Sequence, residues 1–129
     1  MADSFEDELH TMQVTITLIY AQLATVLHRL PIPVELPTHE NVDLLREMDP
    51  AVRRAVEVMP EMPVDAKTKA RVIIAATDWL TCTDLWVLSG INGPDRARAL
   101  QWVTASGTAR RNIQQLLEEG DAEYNPDQE

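Results

Sequence analysis

The chain has 129 residues, 45% of them hydrophobic and 25% charged, which suits one globular domain with its own core. A single cysteine, Cys82, excludes an intramolecular disulfide framework, and no run of about 18 apolar residues or leader-like N-terminus points to a membrane span or a secretion signal. The formal charge of −10 lies at the ends: residues 1–8 carry four acids, residues 118–129 carry six, and the stretch between is neutral. An acidic balance of this kind opposes non-specific binding to phosphate backbones, which needs lysine and arginine presented together. A reducing cytoplasm is the expected compartment, with 1–8 an acidic N-terminal segment, 9–119 the helical domain and 120–129 an acidic disordered tail.

Ser4 to Asp7 has the form of a helix start, a serine followed three residues later by an acid. From there Phe5, Leu9, Met12, Ile16, Ile19, Leu23, Val26 and Leu30 follow one another at steps of three and four, the seam of a helix packed along its length. Val14 to Leu18 alternates in a way that also fits a strand, but the long seam decides for a helix over about 5–30. No acid, lysine or arginine occurs from Thr11 to Leu27, so more than one side of this helix is expected to be covered. Pro31 and Pro33 end it, and residues 31–37 form a proline-rich linker.

Thr38 is the expected cap of a short helix over about 39–48, with Val42, Leu45 and Met48 inward. Asp49-Pro50 opens a second short helix over about 50–59, which the Pro60–Pro63 segment breaks. Asp65 caps an apolar helix over about 66–88, and Ser89-Gly90 closes it. Gly93-Pro94-Asp95 starts a last helix over about 94–119, stopped by Gly120. The expected fold is therefore all-α, a single bundle of three long and two short helices.

Antiparallel packing of the last two long helices predicts two interhelical ion pairs, Asp84–Arg98 and Asp78–Arg110, because an unpaired carboxylate inside an apolar helix is costly. Trp79 and Trp86 share a face, and Trp102 on the next helix can approach them. The three indoles read either as core or as the lining of a pocket for a small apolar ligand. His10, His28 and His39 form no HExxH motif. His39 and Asp43 are four apart, but two weak ligands make no metal site. No nucleophile elbow, glycine-rich phosphate loop or magnesium-binding carboxylate set is present, so no enzyme, cofactor or metal is expected.

The segment Val103 to Leu116 has glycine at 107, an aliphatic residue at 113 and another at 116, with Arg110, Arg111 and Asn112 opening its second half. It resembles a helix-turn-helix, with Val103 standing where that family prefers a smaller residue. The resemblance implies DNA contacts by Arg110, Arg111 and Asn112. One continuous helix is the alternative, since glycine costs a helix only about 1 kcal/mol. A looser resemblance spans most of the chain: Thr11-Met12, Leu44-Leu45-Arg46, Ala70-Arg71, Asp78-Trp79-Leu80 and Ala109-Arg110, in that order, are similar to small helical accessory proteins from actinobacterial natural-product gene clusters. It implies an accessory role with no catalytic residues to carry over.

The sequence leads to a non-enzymatic interaction protein, accessory or regulatory, that acts through helix packing. Its expected partner is itself, as a homodimer, or another protein. Leu9, Met12, Ile16, Ile19, Leu23 and Val26 are the expected interface, unless that seam is buried within one chain. The DNA-binding regulator and the Trp-lined ligand binder are the alternatives.

Overall fold

The computed structural model describes residues 2–123, and side chains from Ser4 to Glu119. The protein is all-α, with no strand among the described residues. Helix α1 runs Ala2–His28, α2 Asp49–Val58, α3 Ala66–Asn92 and α4 Arg96–Glu123. A wide π-type turn, Leu44–Met48, leads into α2, and a single 3-10 turn, Met59–Glu61, follows it.

Helix α3 touches each of the other three helices. It pairs with α4 as an antiparallel hairpin, with Arg71 and Glu119 ion-paired at its open end. It also lies antiparallel to α1, through two hydrogen bonds a heptad apart. The Trp79 Nε1–H donates to the carbonyl of Ile16, and the Trp86 Nε1–H to that of Leu9, both at 2.9 Å. Leu23, Leu27, Val52, Val72 and Ile113 are fully buried where the helices meet. By length and mean hydropathy α3 also reaches the range of a membrane-crossing helix, reflecting its central, largely apolar character.

Helix ends follow local chemistry. The Asp65 carboxylate accepts from the Thr68 N–H at 2.6 Å and caps α3 as expected. Gly90, expected as the stop, lies inside the helix. The chain turns instead at Gly93, whose φ of 84° is the left-handed conformation that favours glycine. The expected stop at Gly120 is likewise passed, and α4 continues to Glu123, so the first part of the expected tail is helical. Residues 124–129 of that tail lie outside the described residues. The acidic N-terminal segment belongs to α1, which starts at Ala2, ahead of the Ser4 cap.

The short helix expected over 39–48 is not formed. Asp43, rather than Thr38, is the cap: its carboxylate accepts from the N–H groups of Leu45 and Arg46, and Glu47 reaches back to the Asp43 N–H at 3.2 Å. This reciprocal box starts the helical backbone five residues later than expected. The register moves with it, burying Leu44 and leaving Leu45 exposed. Pro50 has no N–H to give to Arg46, one turn back, and the turn that precedes it opens to i→i+5 spacing. Asp49 is itself helical, and its carboxylate receives Arg53 Nε at 2.6 Å.

The proline-rich segment is tied to α1 by Tyr20, whose hydroxyl donates to the Pro37 carbonyl at 2.5 Å. Burial, helped by the nearby Glu47 carboxylate, pushes the Tyr20 pKa up to about 12. Tyr20→Phe leaves that carbonyl without its donor, and an expected loss of about 1–2 kcal/mol follows. Urea denaturation at neutral pH measures it.

Candidate functional site

The seam of α1 is used within the chain. Ile16, Ile19, Leu23 and Val26 are buried against the protein's own helices, and Leu9 and Met12 are half-buried. Four of the six are therefore closed to a second copy, and only Leu9 and Met12 keep part of their surface free. The physical reason is the one that made them prominent: the apolar edge of α1 matches the groove of the α3–α4 hairpin, and burying it there needs no partner.

The three tryptophans separate. Trp79 is fully buried, its ring 5.6 Å from Tyr20 and tilted by 45°. Trp86 borders a groove with Gln13 and residues 41–45, and Trp102 borders a different one with Met12. Among the described residues these two grooves are separate, and the indole N–H groups of Trp79 and Trp86 are committed to α1 carbonyls. The Trp102 Nε1 is buried without a hydrogen-bond partner.

The expected ion pairs also differ. Asp84 lies 3.5 Å from Arg53 on α2 and is largely exposed, well away from the start of α4 where Arg98 sits. Asp78 is half-buried, and its Oδ2 is shielded from solvent without a hydrogen-bond partner. Arg110 does not answer it, because α4 presents Ala109 and Ile113 to the core and leaves Arg110 exposed. Burial alone raises the Asp78 pKa above the ordinary 3.8. A carboxyl shifted this way costs no stability below its unfolded pKa, where both states are protonated. Its cost grows as pH rises past the unfolded pKa and is complete above the folded one. Asp78→Ala is thus expected to stabilise the fold by about 1 kcal/mol at pH 7, by removing a buried unpaired acid and adding a better helix former. Denaturation at pH 7 and pH 3 tests this, with the gain shrinking at the lower pH.

Helix α4 runs unbroken through Gly107, so the turn that a helix-turn-helix requires is absent at that position. Gly107 has an ordinary negative φ, and the buried Ser106, Ala109 and Ile113 hold both halves against the bundle. Arg110 and Arg111 stand exposed on an unbroken helix, with Asn112 half-buried. Among the described residues no group of three or more His, Cys, Asp or Glu is placed to hold a metal. His39 binds Glu47 at 2.6 Å rather than joining Asp43.

What remains is the outer side of α1 and α4. The two helices lie side by side and parallel, since residues 4–12 meet 99–103 at one end and Val26 to Leu30 meet Leu116 to Glu119 at the other. The first of these meetings is an open groove of about 460 Å³ lined by Ser4, Asp7, Glu8, Met12, Trp102 and Val103, among others. Leu18 on α1 and Leu100 and Val103 on α4 are 63%, 59% and 61% exposed, and Val14 is 44% exposed. No charged side chain interrupts α1 from 11 to 27 or α4 from 99 to 109. Charges gather at the two ends instead: Glu6, Asp7, Glu8 and Arg96 at one, Arg110 and Arg111 at the other, all exposed. An apolar centre with a charged rim has the composition of a protein interface. In the sequence the uncharged run of α1 reads as burial on more than one side. The matching run on α4 is masked there by its likeness to a helix-turn-helix. Comparison with protein families, curated proteins and solved structures finds no match to this chain.

Proposed function

We propose that the protein is a non-enzymatic interaction module, accessory or regulatory in role, that docks a helical partner on the outer face of α1 and α4. The observation that carries this reading is the exposure of Leu18, Leu100 and Val103 on two adjoining helices with no charge between them. Single exposed apolar residues are ordinary on protein surfaces. A band shared by parallel neighbours is not, and it favours association over solvation. The exposed residues of α3 make a poorer surface. Ile74 stands about four turns from Leu88 and Ile91, with the Asp84–Arg53 pair between them.

Radical footprinting tests this whatever the identity of the partner. The chain is labelled once as dilute purified protein and once in the extract of the cells that make it. Loss of labelling at Leu18, Leu100 and Val103 in the extract, with Ile74 and Ile91 unchanged, is the expected result. Equal labelling of all five residues in both samples removes the reading.

A further inference from the structure

We infer that the α1–α4 face receives a basic amphipathic helix of another protein. An apolar side chain of that helix sits in the groove where α1 meets the start of α4, and a lysine or arginine sits on the acidic lip of the groove. This inference rests on that face being an interaction surface and adds the chemistry of its occupant. The groove is open and about 460 Å³ in volume, and Met12, Ala99, Trp102 and Val103 give it apolar walls. The charged residues that line it, Asp7 and Glu8, are both acids, both exposed and both on α1. Glu6 stands next to them, and residues 1–8 contain no base. Helix α4 contributes no charge from 99 to 109. Arg110 and Arg111 lie about two turns beyond Val103, outside the groove, and do not cancel the acids.

Elsewhere the bundle answers acids that stand between its elements: Glu35 pairs with His28, Glu47 with His39, Asp84 with Arg53 and Glu119 with Arg71. At the groove it does not. Among the described residues neither Asp7 nor Glu8 has an ion-pair partner, and Arg96 and Arg98 at the start of α4 pair with neither. The dipole of α1 does not account for these acids, because its pull fades within the first turn and α1 starts at Ala2. Unpaired carboxylates beside an indole and a thioether complement a cation carried on an apolar stem. The carboxylates attract the charge, the Trp102 ring takes the cation or its methylenes, and Met12 adapts to the shape. A helix supplies this combination within one turn, with an apolar residue at one position and a base three or four further on. An acidic partner would meet Asp7 and Glu8 with like charge. The net charge of −10, held at the chain ends, also steers a basic partner toward this end of α1.

A labelled synthetic helix of about 18 residues, leucine on one face and lysine on the other, probes the groove, with a glutamate-for-lysine peptide beside it. Fluorescence anisotropy with the purified full chain at low salt is expected to show the lysine peptide bound with a Kd below about 100 µM, and the glutamate peptide unbound. Asp7→Lys with Glu8→Lys is expected to weaken binding at least about tenfold. Glu57→Lys with Glu61→Lys makes the same charge change at exposed positions on and just after α2, and is expected to weaken it less than about threefold. Val103→Glu is expected to weaken it about tenfold with an unchanged circular dichroism spectrum, because it places a carboxylate on an apolar wall. In the cell extract, the chain with Asp7→Lys and Glu8→Lys is expected to lose the protection of Val103 that the parent shows. Failure of the lysine peptide to bind, equal binding of both peptides, equal weakening by the two charge-reversed pairs, a Val103→Glu chain that binds like the parent, or protection that survives the reversal overturns the inference. Protection that survives leaves the interaction surface standing with a partner of other chemistry, a second copy included. A parent chain without protection in the extract removes the surface and this inference together.

Discussion

Replacing Trp79 by alanine is expected to lower unfolding stability by about 3–5 kcal/mol, the range for deleting a buried aromatic ring. A domain of this size has roughly 5–15 kcal/mol in all, so the substitution removes a large share of it. Trp79 is fully buried on α3, which touches the other three helices, and three effects converge on it. Its ring fills the space between α1 and α3, it meets Tyr20 in a tilted aromatic pair, and its N–H holds the Ile16 carbonyl. Trp79→Phe separates them. Phenylalanine retains most of the packing and loses the hydrogen bond. The Ile16 carbonyl stays within the helical ladder of α1, so the expected loss is only about 1–2 kcal/mol. Trp86→Phe removes the second clamp, at Leu9, on a half-buried ring, and is expected to lose less still. Chemical denaturation of the three variants, followed by far-ultraviolet circular dichroism, measures the order. A Trp79→Ala variant as stable as the parent would mean that α1 does not pack where this indole places it.

The same residues show what the sequence could and could not reveal. The edge of α1 was legible because a spacing of three and four over eight positions has one simple use, and most of that edge is buried. Asp65 was legible as a cap because its chemistry is local, one carboxylate and the N–H three residues on. The end of α3 was not, because Ser89-Gly90 and Gly93-Pro94 are equally good stop signals in one dimension. The choice between them rests on packing: the Ser89 side chain is buried, its hydroxyl bonds the Leu85 carbonyl, and the Gly93 N–H bonds the Ser89 carbonyl. That choice lengthens α3 by a turn and slides the hairpin register, which is why Asp84 meets Arg53 on α2 and not Arg98. The clamps made by Trp79 and Trp86 were invisible for another reason. A heptad of tryptophans looks the same whether the rings line a cavity or fill it, and only the position of α1 decides. The outer face of α1 and α4 needed both the parallel pairing of those helices and the side chains left over after the core was filled, and neither is a property of a single segment.

Cys82 is expected to react with a thiol reagent at least about a thousandfold more slowly in native buffer than in guanidinium chloride. The side chain is fully buried on α3, and burial, reinforced by the neighbouring Asp78 carboxylate, pushes its pKa up to about 12. Few molecules then carry a thiolate near neutral pH, and the sulfur has no path to the reagent. Two routes to reaction remain. The native protein can supply its rare thiolate to a penetrating reagent, or the fold can open and expose an ordinary cysteine. Asp78→Ala tells them apart because it acts with opposite sign on each. Removing the carboxylate lowers the thiol pKa and speeds the native route. Removing the buried unpaired acid stabilises the fold and slows the opening route. Complete burial of the sulfur favours opening, so the expected result is a slower reaction for Asp78→Ala by roughly fivefold, the factor for about 1 kcal/mol. A faster reaction would show that reagent reaches Cys82 through the folded bundle. A native rate close to that of the unfolded chain would show that the core around α3 is not closed at all.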